Sequence, residues 1–94
     1  MLFHITHSHE EQTCPINNQD VLRDSFGKVM SSLTDNGVEV IGWWVDPPAH
    51  QMFFVVEADS AEVVYDGLQP IIDRGTCITQ PVLDAAAKVQ ALLE

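Results

Sequence analysis

The stretch covering residues 51–58 is predicted to be a β-strand with two apolar faces. Its apolar side chains alternate, with Met52, Phe54, Val56 and Ala58 on one face and Phe53 and Val55 on the other. A strand of this composition needs cover on both sides of its sheet. The chain must therefore place helices on one face of a sheet and find a second covering element for the opposite face.

The rest of the chain supplies the other elements in a regular order. Strands are predicted over residues 1–7, 38–45 and 77–83, and helices over 19–34 and 85–93. A further short helix follows the cap at Asp59, is restarted or kinked by Pro70, and is closed by Gly75. The order β-α-β-β-α-β followed by α predicts a single α+β domain over residues 1–94 with a ferredoxin-like four-stranded antiparallel sheet.

In this arrangement the two main helices cover only one face of the sheet. Either the C-terminal helix folds across the second face, or the sheet of another subunit does, because a patch of that size is hard to keep soluble. We expect a homodimer in which the sheets pack together. The neighbours Trp43 and Trp44 point to opposite faces, so one is expected in the core of the subunit and the other at the interface.

The element order over residues 1–93 resembles that of the dimeric α/β-barrel group of small ferredoxin-like proteins. This group includes antibiotic-biosynthesis-type monooxygenases, chlorite-dismutase-type haem proteins and uncharacterised or metal-binding families. The His7-x-His9 pair, followed by Glu10 and by Cys14-Pro15, is also similar to an N-terminal pattern in uncharacterised small proteins of this shape. The resemblance implies a fold and a dimer, and it transfers no catalytic motif onto these residues.

The predicted strand directions bring distant residues to one end of the sheet. The end of strand one lies beside the start of strand three, so His7 and His9 are expected to approach His50. Cys14, on a loop stiffened by Pro15, can fold back over the same edge. His4 points to the opposite face and is excluded from this group.

Two imidazoles separated by one strand residue can bind one ion together. We therefore predict a divalent transition-metal site formed by His7, His9, Cys14 and His50, with Glu10, Glu11 or Asp46 as oxygen alternatives. Nitrogen and thiolate ligands favour zinc, copper or nickel over magnesium or calcium. The alternatives are that these side chains are merely polar residues at a strand end with a small loop cysteine, or that they form a catalytic thiol or a haem pocket.

The composition limits the classes of partner. Fourteen acidic and four basic residues give a formal net charge of −10, which disfavours nucleic acid and anionic membranes. No basic leader or long apolar run is present, so we expect a cytoplasmic protein. Two cysteines are too few for a disulfide framework; two reduced thiols are the simpler state, and a Cys14–Cys77 bridge stays open as the alternative. Two other functions stay open: a monooxygenase-like enzyme with a small apolar substrate in a cavity between sheet and helices, and a module that only dimerises.

Overall fold

A four-stranded antiparallel sheet forms the centre of the computed structural model, which describes residues 1–94. The strands are β1 (Leu2–Ser8), β2 (Glu39–Asp46), β3 (Gln51–Glu57) and β4 (Thr76–Val82), in the spatial order β2-β3-β1-β4. The helices are α1 (Gln19–Asp24), α2 (Phe26–Asp35), α3 (Ala61–Gly67), α4 (Gln69–Ile72) and α5 (Ala85–Leu93). The predicted α+β class, the four antiparallel strands and the order of the elements are confirmed.

The helix predicted over residues 19–34 is divided in two at Ser25. The Ser25 backbone has φ −111° and ψ −90°, and both its N–H and its hydroxyl donate to the Val21 carbonyl oxygen, at 3.0 and 2.6 Å. Because a serine side chain competes with the backbone for this carbonyl, the helix turns here and restarts as α2. Periodicity alone did not reveal this break, since the apolar spacing continues across it.

The inner face of the sheet packs against the helical layer and forms the core. Phe3, Ile5, Phe54 and Val56 contribute from the two central strands, and Val29, Leu33, Val64 and Ile71 contribute from the helices; all are almost fully buried. Trp43 joins this side of the sheet, where its ring stacks on Phe54 with a centroid distance of 5.1 Å. Burial of aliphatic and aromatic side chains at about 1.5–3 kcal/mol each is the main stabilising contribution.

The outer face of the sheet has no covering element. The strand register aligns one row across all four strands, consisting of Trp44, Phe53, Thr6 and Ile78. The outermost members of the row, Trp44 and Ile78, are 56% and 53% exposed. Helix α5 does not lie over this row, because every residue of α5 is itself exposed. The sequence analysis expected either the C-terminal helix or the sheet of another subunit to cover this face. The C-terminal helix of this subunit does not cover it.

None of the helices is long enough and apolar enough to cross a membrane.

Candidate metal centre

Two short hydrogen-bonded turns hold Cys14 after β1 has ended at Ser8. In the first, the Glu10 N–H donates to the Thr13 hydroxyl at 3.0 Å and the Thr13 N–H donates to the Glu10 carbonyl at 3.1 Å. In the second, the Asn18 N–H donates to the Pro15 carbonyl at 2.9 Å. Cys14 lies between these turns, so its position is fixed even though the segment belongs to neither a strand nor an α-helix.

The turn between β2 and β3 presents His50. Asp46 accepts a hydrogen bond from the Ala49 N–H at 3.3 Å, and the His50 N–H donates to the Pro47 carbonyl at 3.1 Å. His50 has φ +53°, in the left-handed region, which costs a non-glycine residue roughly 1–2 kcal/mol. The His9 N–H donates to the His50 carbonyl at 3.0 Å, so the turn is tied directly to the segment after β1.

Three predicted ligands come together at this point. One ligand atom each from His9, Cys14 and His50 lies within 4.8 Å of the other two, and all three residues are half-buried. The rings of His9 and His50 are nearly perpendicular, with centroids 5.2 Å apart. The Nδ1 atom of His9 is buried and has no hydrogen-bond partner in the protein. A buried nitrogen of this kind requires a partner, and a metal ion is one that satisfies it.

His7, the fourth predicted ligand, lies outside this group. Its ring is fully buried, and Nε2 is 3.2 Å from the Ile71 carbonyl oxygen. A carbonyl only accepts, so Nε2 carries the proton and donates. The His7 ring packs edge-on against Phe26 at 5.3 Å and lies 5.5 Å from the His9 ring. The arrangement therefore separates the two histidines predicted to bind one ion together. Nε2 of His7 bonds to the helical layer, and its Nδ1 atom, although buried without a partner, lies outside the group of three.

The remaining candidates lie elsewhere. His4 is on the outer face against Phe53, with ring centroids 6.1 Å apart. Asp46 serves the β2–β3 turn, and Cys77 is half-buried against the core. Both cysteines are free thiols. The acidic side chains Glu10 and Glu11 are exposed.

A cavity of about 420 Å³ opens beside the three grouped residues. An apolar cavity between sheet and helices was part of the alternative enzyme hypothesis, but its position beside these three residues was not predicted. Its wall contains His9, Cys14 and His50 together with apolar side chains from α1, α2, β2 and β3. The one sequence signal was Ile16, an apolar residue in an otherwise polar loop, which is 73% exposed at the cavity. Loop residues follow no hydrophobic period, so the pattern that located the core gave no information about this wall.

A family model described as a domain of unknown function, DUF3303, matches residues 1–94. The chain belongs to the DUF3303 family. The comparison with curated proteins finds no match to it. Because the description of the DUF3303 family names no function, the chemistry of this centre follows from its own residues.

In this DUF3303 domain, burial controls how the two central histidines titrate. Loss of water lowers the pKa of His7 below that of a free imidazole; the hydrogen bond to Ile71 opposes this shift, and repulsion from His9 adds to it. Burial also lowers the pKa of His9, and repulsion from His50 adds to that shift. Burial raises the pKa of the Cys77 thiol. Neutral imidazoles, the form that binds metals, are therefore favoured at neutral pH.

These shifts predict how the stability of the metal-free DUF3303 domain depends on pH. A lowered folded-state pKa means that the unfolded chain binds protons first, so the stability present above about pH 6.5 is lost as the pH falls toward the folded-state value. Glutamine at position 7 retains a donor for the Ile71 carbonyl but does not titrate. We expect His7→Gln to show a shallower loss of unfolding free energy than the wild type between about pH 7.5 and 5.5. Urea unfolding at several pH values, in the presence of a chelator, measures how the unfolding free energy of each protein changes with pH. Equal pH dependence in His7→Gln and the wild type would contradict the prediction.

Proposed function

We propose that this protein is a small cytoplasmic metal-binding protein that holds one divalent transition-metal ion through His9, Cys14 and His50. The proximity of these three ligand atoms, within 4.8 Å of one another, is the observation that carries the proposal. The metal would serve a binding or sensing role, or support catalysis if one coordination position stays open to substrate.

The spacing of the three residues is compatible with tetrahedral coordination. Metal–nitrogen bonds of about 2.0–2.1 Å and a metal–sulfur bond of about 2.3 Å place neighbouring ligand atoms roughly 3.3–3.7 Å apart. Because the three ligand atoms lie within 4.8 Å of one another, the group needs to contract by at most about 1.5 Å to reach these distances. His7 supports the orientation of His9, because the two rings pack side by side.

The ligand types select the metal. Two imidazoles and one thiolate favour zinc, copper or nickel, whereas magnesium and calcium prefer oxygen ligands. The carboxylates closest in sequence, Glu10 and Glu11, are exposed, and Asp46 is engaged in its own turn. Zinc is the natural first ion to test, because it accepts a mixed nitrogen and sulfur set in tetrahedral geometry.

Metal analysis of protein purified without a histidine tag tests the proposal. We expect the wild type to bind close to one zinc, copper or nickel ion per chain. Zinc at about 100 times its dissociation constant should stabilise the folded state by about 2.7 kcal/mol. The double variant His9→Ala/Cys14→Ala should lose both effects. The matched variant His4→Ala/Cys77→Ala removes the same two residue types elsewhere and should retain them. Wild-type protein that holds no metal and gains no stability from added metal would overturn the proposal.

We also propose that the protein is a homodimer with ferredoxin-like subunits, joined through the outer face of the sheet. The strand order β2-β3-β1-β4 and the two connecting helical segments support the ferredoxin-like assignment. The apolar row containing Trp44, Phe53 and Ile78 supports the dimer, because water otherwise covers it. A two-fold interface uses the same surface of both subunits, so the outer face of one copy would meet the outer face of the other.

Helix α5 offers further apolar surface for the proposed dimer. Four strands about 4.8 Å apart, each about seven residues long, give a face of roughly 450 Å² in projection. A stable interface buries about 800 Å² on each partner. Helix α5 carries Val89, Leu92 and Leu93 at 52%, 85% and 79% exposure, so it offers apolar area that a second copy can cover.

A further inference from the structure

The cavity beside the proposed metal centre matches the size of a small-molecule site. Its volume of about 420 Å³ lies within the range of roughly 300–1,000 Å³ found for ligand pockets. It runs from the loop after β1 to the turn between β2 and β3, beneath the start of the helical layer. Among its lining residues, Phe26 and Pro15 are buried, whereas Ile16 and Val45 are exposed.

The chemistry of the cavity wall is unusual for so acidic a protein. The chain has fourteen carboxylates, yet no aspartate, glutamate, lysine or arginine lines this cavity. Apart from His9, Cys14 and His50, the wall consists of aliphatic, aromatic, proline and methionine side chains. A bound molecule would therefore meet apolar groups everywhere except at the ligand atoms of the metal.

The protein supplies three ligands and leaves a fourth position for the occupant of the cavity. His7, the nearest further imidazole, is fully buried and is not among the residues whose ligand atoms lie within 4.8 Å of one another, so it does not complete the coordination. A divalent ion with one thiolate and two neutral imidazoles keeps a net charge of +1. A positive charge beside apolar groups is costly unless an anion neutralises it. The open position thus favours an anionic donor attached to an apolar body.

We propose that the cavity binds a small, largely apolar molecule with one carboxylate or thiolate group, which occupies the fourth coordination position of the metal. This inference rests on the proposed metal centre and adds the class of its ligand. The anionic group would bind the ion, and the apolar body would lie against Leu22, Phe26 and Met52. The site would accordingly discriminate by the length and shape of the apolar body and not by further polar contacts.

Cobalt-substituted protein provides the test, with hexanoate and acetate as probes. Cobalt bound by Cys14 gives a thiolate charge-transfer band and visible ligand-field bands. We expect hexanoate to change the ligand-field bands, and to bind on the order of 100-fold more tightly than acetate, because four additional methylene groups enter the cavity. Leu22→Trp should fill the cavity, keep the thiolate band and lose most of the response to hexanoate. Leu83→Trp, at an exposed leucine away from the cavity, should respond as the wild type does.

The ways in which this test can fail are distinguishable. A cobalt spectrum that hexanoate leaves unchanged, or that hexanoate and acetate change with equal affinity, overturns the ligand inference and leaves the metal centre standing. Equal hexanoate affinity in Leu22→Trp and the wild type also overturns it, because binding would then lie outside the cavity. Absence of any cobalt spectrum overturns the metal centre and the ligand inference together.

Discussion

Trp44→Asp should convert the proposed dimer to a monomer at micromolar concentration. Trp44 is 56% exposed on the outer face of the sheet and pairs in register with Phe53. In the dimer the aspartate would be an unpaired charge in an apolar contact, and the indole surface would be lost. Buried aromatic anchors at interfaces commonly contribute about 2 kcal/mol or more, so the dissociation constant should rise by at least about 30-fold.

Sedimentation velocity over a range of protein concentrations measures this change. Tyr65→Asp is the matched control, because Tyr65 is also 56% exposed but lies on α3, on the opposite side of the sheet. The control should remain a dimer. A wild-type protein that sediments as a monomer at micromolar concentration would contradict the dimer, and an unchanged Trp44→Asp dimer would place the interface elsewhere.

The sheet was predictable because its sequence signals are local and repeat every second residue. Phe3 and Ile5 are buried on the inner face, as their alternation indicated. Pro81 lies on the edge strand β4, where the missing N–H of proline does not cost the sheet a backbone hydrogen bond. Two helix starts were equally predictable from their caps, whereas α3 is capped by Ser60, whose hydroxyl accepts from the Val63 N–H, and not by the predicted Asp59. Asn18 and Asp84 each accept a backbone N–H three residues ahead, at 3.1 Å.

The candidate site was predictable in outline because it follows from strand direction. Antiparallel pairing of β1 with β3 brings the end of one strand to the start of the other, which is why His9 and His50 meet. The exclusion of His7 was not predictable, since alternation assigns a side chain to a face but says nothing about its contacts there. A carbonyl from α4, sixty-four residues later, decides its role.

Gly75→Ala should destabilise the fold strongly, because the end of β1 leaves no room for a methyl group at this position. A Cβ atom at position 75 would lie 2.2 Å from the Ser8 carbonyl oxygen and 3.1 Å from Cε1 of His7. The first of these atoms belongs to the backbone of β1, whose Ser8 pairs with Thr76, so the strand end must move to relieve the clash. Overpacking against side chains costs about 1–3 kcal/mol, and a backbone clash should cost at least the upper value.

The same displacement should reach the metal centre, because Ser8 directly precedes His9 and the His7 ring lies beside that of His9. Gly75→Ala is therefore expected to lower the unfolding free energy by about 3 kcal/mol or more and to weaken zinc binding. Gly37→Ala is the control: its added methyl meets nothing within 4 Å, although φ of +79° should cost about 1 kcal/mol. Urea unfolding and zinc titration of both variants distinguish the clash at residue 75 from the conformational cost at residue 37. If Gly75→Ala lost no more stability than Gly37→Ala, the close approach of residue 75 to the end of β1 would not constrain the site.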